Sequence, residues 1–118
     1  MKFFIFLTVC FFVSFCAEAQ NRRPKITGQL DLSTNEEQSI TILMSDLFVE
    51  DKDDWFYPWG FTMQLYPGTN YTLEGNVVTP ALNFTGTLTV EVTVNDGEDD
   101  SNKYPLKITV NPVNDKPV

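Results

Sequence analysis

The chain has 118 residues, 42% of them hydrophobic, with 16 acidic residues against 8 Lys and Arg and no histidine. This length supports one globular domain with its own hydrophobic core. The net charge of −8 argues against nucleic-acid partners and anionic membranes, because both are bound through clusters of Lys and Arg. Cations are the class of ligand that this charge favours.

The first residues, 1–19, are predicted to form a secretory signal peptide. A lysine precedes an apolar run over residues 3–15, and Ala17-Glu18-Ala19 provides an A-x-A cleavage pattern. A helix over residues 3–17 would span about 22 Å, which is short of the ~30 Å hydrocarbon core of a bilayer. We therefore expect a secreted, extracellular protein without direct insertion into a membrane.

Alternation of apolar and polar residues predicts β-strands in the rest of the chain. The clearest case is residues 87–95, where Leu88, Val90, Val92 and Val94 alternate with polar residues. Strands are predicted at residues 25–29, 39–43, 61–65, 71–73, 77–79, 87–95 and 104–110. Turn signals rich in Gly, Pro and Asn separate these segments, and no segment has a sustained helical period.

Short strands that each have one apolar face are best buried by packing two sheets against each other. The predicted fold class is therefore all-β, an immunoglobulin/cadherin-like antiparallel β-sandwich of about seven strands over residues 20–111. Residues 112–118 are predicted to be a linker.

The two ends of the predicted secreted chain are similar in sequence. Asn21-Arg22-Arg23-Pro24 begins it and Asn114-Asp115-Lys116-Pro117 ends it, at a spacing close to the ~100 residues of one Ig-like module. This similarity predicts one unit of a tandem repeat that continues after the linker. A solitary domain with two proline-containing ends is the alternative.

The second half of the chain carries a family resemblance. Residues 75–90, then Val92-Thr93-Val94-Asn95-Asp96-Gly97 and the segment 108–117 resemble the cadherin-like, bacterial Ig-like tandem repeats of secreted surface proteins. The resemblance covers about residues 21–118. It implies a non-enzymatic spacer or adhesion module associated with the cell surface. Its expected partners are neighbouring repeat modules of the same polypeptide, and a surface protein or polysaccharide.

The resemblance also implies calcium as a cofactor at the junctions between modules, where six to eight oxygen ligands must converge. At the end facing a preceding module the matching residues are Asp51, Asp53 and Asp96. Residues two apart in an extended segment project to the same side, so Asp51 and Asp53 could share a cation. At the other end the matching residues are Glu36 or Glu37, Asn114 and Asp115. A solvated acidic surface is the alternative.

The segment 54–61 places five aromatic residues beside acidic ones. Aromatic faces next to carboxylates can hold sugars, so a carbohydrate-binding module that uses Trp55, Tyr57 and Trp59 is the alternative function. The other interpretation is that these rings fill the core of the sandwich.

Catalysis has little support in the sequence. No histidine is present to act as a base, and no serine lies in a G-x-S-x-G motif. Both cysteines, Cys10 and Cys16, belong to the predicted signal peptide, so the secreted part has neither a thiol nucleophile nor a disulfide. We expect a protein that is not an enzyme.

Overall fold

The computed structural model describes residues 23–52 and 57–113. Within these ranges the chain forms strands and one short 3₁₀ turn at Met44–Asp46. The strands are β1 (Lys25–Gln29), β2 (Ser33–Asn35), β3 (Ile40–Thr41), β4 (Leu47–Glu50), β5 (Thr62–Leu65), β6 (Tyr71–Glu74), β7 (Val77–Pro80), β8 (Gly86–Asn95) and β9 (Tyr104–Asn111).

The strands form two layers. One layer is a four-stranded sheet in the order β2-β9-β8-β5, and the other consists of the pair β1-β4 and the sheet β3-β7-β6. This division is the one that immunoglobulin sandwiches use, and it confirms the predicted all-β sandwich. The pairing of β2 with β9 is parallel, whereas the other pairings are antiparallel.

The core lies between the layers and is built on strands β8 and β9. Their inward residues face each other across the ladder, as Leu88 pairs with Ile108 and Val90 with Leu106. All four side chains are at most 1% exposed. The opposite layer covers them with Ile26, Ile42, Leu47, Tyr71 and Val78. The period of two in the sequence therefore reflects one buried face on each strand.

Two strands were not among the predicted segments. Strand β2 is short and polar, and it forms because its backbone pairs with β9 in the register Ser33 to Thr109. Strand β4 continues the path of β3 after the interruption at Met44–Asp46, where the Asp46 carboxylate accepts a hydrogen bond from the Leu43 N–H at 2.8 Å. This interruption divides the second layer into two parts.

Two side-chain amides attach strand β1 to the opposite layer. The Gln29 side chain donates to the Lys107 carbonyl at 2.8 Å and accepts from the Lys107 N–H at 2.7 Å. The Asn102 side chain likewise accepts from the Ile26 N–H at 2.9 Å and donates to the Ile26 carbonyl at 3.4 Å. Each amide thus pairs with a backbone edge as a neighbouring strand would.

Replacing Gln29 by Ala should lower the free energy of unfolding by about 1–3 kcal/mol, because two hydrogen bonds to the backbone of β9 are lost. Urea unfolding followed by circular dichroism measures this change. The exposed Gln38 makes no side-chain hydrogen bond within the described part of the chain, so Gln38→Ala is the matched control and should stay within ~0.5 kcal/mol. Equal effects of the two substitutions would contradict the bridging role of Gln29.

Candidate functional site: the two ends of the sandwich

The chain enters the sandwich at one end, which we name the upstream end. It comprises Arg23, Glu50, Asp51, residues 57–60 and residues 96–103. In the register of the β1–β4 ladder, Lys25 lies opposite Glu50. The Arg23 Nε donates a hydrogen bond to the Asp100 carbonyl at 3.0 Å. The start of β1, the end of β4 and the β8–β9 loop therefore lie together.

Two of the acids predicted to bind calcium, Asp51 and Asp96, belong to segments at the upstream end. Asp51 follows β4 and is half-buried, with its Oδ2 atom shielded from solvent. Asp96 begins the β8–β9 loop. The third acid predicted for this end, Asp53, lies outside the described residues.

Asp96 has a structural role in its loop. Its Oδ1 atom accepts hydrogen bonds from the N–H groups of Glu98 and Asp99, both at 2.9 Å. The Asn95 side chain accepts in the same way from the N–H of Gly97, at 2.7 Å. Gly97 has a φ of 101°, a conformation that residues with a side chain rarely adopt. Side-chain oxygens therefore shape this turn, as the Asn-Asp-Gly sequence predicts.

The upstream end also carries positive charge. A shallow groove of about 300 Å³ is lined by Arg23, Lys25, Glu50 and Lys52. These cations lower the negative potential that the neighbouring carboxylates produce. Within residues 23–52 and 57–113, no group of three or more acidic side chains is placed to hold a metal ion. Calcium binding stays a prediction, since Asp53 and the linker acids are not among these residues.

The chain leaves the sandwich at the opposite, downstream end, formed by the β2–β3 turn, the β7–β8 loop and the last residues of β9. Here the Glu36 carboxylate accepts a hydrogen bond from the Val113 N–H at 2.9 Å. The Glu36 N–H donates to the Asn111 carbonyl at 2.8 Å. Of the two glutamates considered in the sequence, Glu36 is the one that holds the outgoing chain.

Glu37 is exposed, in a left-handed conformation with a φ of 65°. It lies at the downstream end, apart from Asp51 and Asp96. Asn114 and Asp115, the other residues predicted to bind calcium there, lie outside the described residues.

The aromatic segment is divided between the interior and the surface. The Tyr57 hydroxyl donates to the Met44 carbonyl, and its ring packs edge-to-face on Phe61, with centroids 4.9 Å apart. Trp59 is 77% exposed, and Trp55 lies outside the described residues. Tyr57 thus contributes to packing, and the predicted carbohydrate surface now depends on Trp59 and Trp55.

The environment of Tyr57 stabilises its neutral form. Burial raises the pKa of the Tyr57 hydroxyl to about 12, and the negative charge of Asp46 adds to this effect. In the unfolded chain the group has its ordinary pKa of 10.0. The stability contributed by this shift is present below pH 10 and is lost as the pH rises through 12.

Tyr57→Phe should lower the free energy of unfolding by about 1 kcal/mol at pH 7, because the bond to the Met44 carbonyl is lost. The difference between wild type and variant should shrink between pH 10 and pH 12, where ionisation of Tyr57 favours the unfolded wild type. Urea midpoints of both proteins across this range provide the measurement. A difference that stays constant up to pH 12 would contradict the inward position of the hydroxyl.

Comparison with known proteins identifies the family. Within the described ranges, no helix has the length and apolar character needed to cross a membrane. A search of curated proteins finds no relative that matches the chain. The sequence model of the family described as "Bacterial Ig domain" matches residues 21–109, which is most of the chain and agrees with the observed sandwich. The chain belongs to the bacterial Ig domain family.

Proposed function

We propose that the chain is a non-enzymatic spacer or adhesion module of a larger extracellular protein. Domains of this family are typically non-catalytic, and they usually occur in extracellular or surface proteins. A spacer needs no reactive group. It needs a stable fold and two attachment points at opposite ends, so that the length of the domain separates its neighbours.

The observation that carries this proposal is the position of the two attachment points. Arg23 lies at the upstream end, beside the β8–β9 loop, and Asn111 closes β9 at the downstream end. Strand β9 covers 8 residues, which is about 27 Å at ~3.4 Å per residue. Modules joined through such ends would follow one another in line, and each would add its full length to the array.

The downstream attachment supports the same proposal. The Glu36 carboxylate accepts a hydrogen bond from the Val113 N–H at 2.9 Å, so the outgoing chain is still attached to the domain two residues after β9 ends. Val113 is 41% exposed and Leu82, in the β7–β8 loop, is 74% exposed. These apolar side chains offer a following module a surface to pack against.

The module should be found in the medium or on the cell surface as part of a longer polypeptide that begins at Gln20. N-terminal sequencing and intact mass measurement of the protein isolated from its native host test both points. The expected mass exceeds the 13.4 kDa of the chain. A product that retains Met1 inside the cell, or one that ends at Val118, would contradict the proposal.

We also propose that calcium binds at the upstream end, to which the segments of Asp51 and Asp96 both belong. The Asp51 carboxylate is half-buried, so a cation bound to it would be attracted through surroundings less polar than bulk water. The ligands would be carboxylate oxygens, as hard cations prefer. Affinity in the range of extracellular modules corresponds to a Kd of about 10⁻⁴–10⁻³ M.

With such an affinity, ~10 mM Ca²⁺ should raise the melting temperature of residues 20–118 by about 6–20 °C. Asp51→Asn should abolish the increase, because the substitution removes a charged ligand. Asp31→Asn removes an exposed carboxylate far from this end and is the matched control. A melting temperature that Ca²⁺ leaves unchanged, or one that it raises equally in Asp51→Asn, would contradict the proposed site.

A further inference from the structure

Strand β5 lies at the edge of the four-stranded sheet. It pairs with β8 on one side, in the register Gln64 to Thr93, and it is the last strand of its sheet in the order β2-β9-β8-β5. The Tyr66 N–H donates to the Glu91 carbonyl at 3.0 Å. Since hydrogen-bonded positions alternate along an antiparallel ladder, Thr62 and Gln64 also bond to β8, whereas Met63 and Leu65 direct their N–H and C=O groups outwards.

The outward groups of Met63 and Leu65 form a template for another strand. Within the described part of the chain, no hydrogen bond fills these four positions. Beside them lies an open cleft of about 360 Å³, lined in part by the apolar side chains of Met63, Leu65 and Leu73. Met63 and Leu73 are only half-buried, so a further strand would also cover apolar surface.

The β5 edge is uncharged. Residues 62–66 carry no charge, nor does the shorter edge strand β2 (Ser33–Asn35), whereas β6, at the edge of the other layer, ends in Glu74. Proteins commonly protect exposed edges with charged side chains or proline, and β5 has neither. The chain has a net charge of −8, but at this uncharged edge two copies can approach each other without placing like charges face to face.

The edge is also complementary to itself. A two-fold axis at Gln64 would place Met63 of one copy opposite Leu65 of the other, and Leu65 opposite Met63. The outward groups then form two reciprocal pairs, or four hydrogen bonds. The exposed Gln64 side chains would lie opposite each other, where two amides can exchange hydrogen bonds. Closed two-fold symmetry is the commonest arrangement of soluble homo-oligomers.

We propose that β5 is a self-association edge through which two copies of this chain join their four-stranded sheets into one continuous antiparallel sheet. The contact is short and therefore weak and transient in free modules. It becomes effective when several modules are presented side by side, because linked contacts act at high effective concentration. This inference goes beyond the spacer function and does not depend on it.

Gln64 allows a test by charge, since the two-fold axis places each Gln64 opposite its own copy. Sedimentation equilibrium of residues 20–118, up to about 1 mM, should show a reversible dimer for the wild type. Gln64→Lys and Gln64→Glu should each weaken self-association by about tenfold or more through like-charge repulsion. An equimolar mixture of these two variants should recover the dimer, because opposite charges now meet.

The control is Thr87→Lys, which places the same charge on an exposed position of β8 away from the edge. It should associate as the wild type does, and circular dichroism should show that all variants remain folded. A wild type that stays monomeric to about 1 mM would overturn the proposal, as would a dimer that the Gln64 variants do not weaken. A monomer that instead adds an unrelated extended peptide at β5 would assign the edge to another partner and would equally overturn it.

Discussion

The antiparallel ladder between β8 and β9 is the interaction on which the rest of the structure depends. Its inward side chains supply half of the buried apolar core in the described part of the chain. Every other strand of its layer attaches to it, β5 through β8 and β2 through β9. The opposite layer has no comparable long strand, and it is held in place by burying its apolar side chains against this ladder. The upstream and downstream ends of the sandwich are therefore the two ends of this ladder.

The ladder was also the part of the fold that the sequence predicted best. Alternation over residues 87–95 and 104–110 is long and regular, and burial of one face follows directly from it. Strand β2 could not be predicted in this way, because Ser33-Thr34-Asn35 has no apolar alternation and forms through backbone pairing alone. The break at Met44–Asp46 also has no periodic signal. It depends on a local hydrogen bond from Leu43 to the Asp46 carboxylate.

The candidate site, too, has features that the sequence predicted and others that only the structure shows. Family resemblance assigned Asp51 and Asp96 to one end of the domain, and the topology brings them to that end. The resemblance could not distinguish Glu36 from Glu37. Which of the two side chains reaches the outgoing chain depends on which residue adopts the left-handed turn conformation, and that residue is Glu37. In the aromatic segment, five rings in eight residues gave no indication that Tyr57 is packed inside while Trp59 faces solvent. The division reflects three-dimensional packing against Phe61 and Met44.

The two amide bridges and the parallel pairing of β2 with β9 have a mechanical consequence. If tension is applied between Arg23 and Val113, it acts along β1 and β9 in opposite directions. The backbone hydrogen bonds run across the strands, at a slant in the parallel pair of β2 and β9, so such a pull shears several of them together instead of opening them one at a time. The bonds of Gln29 to β9 and of Asn102 to β1 share this load from the first displacement. The geometry that sets the length of the module thus also resists its extension.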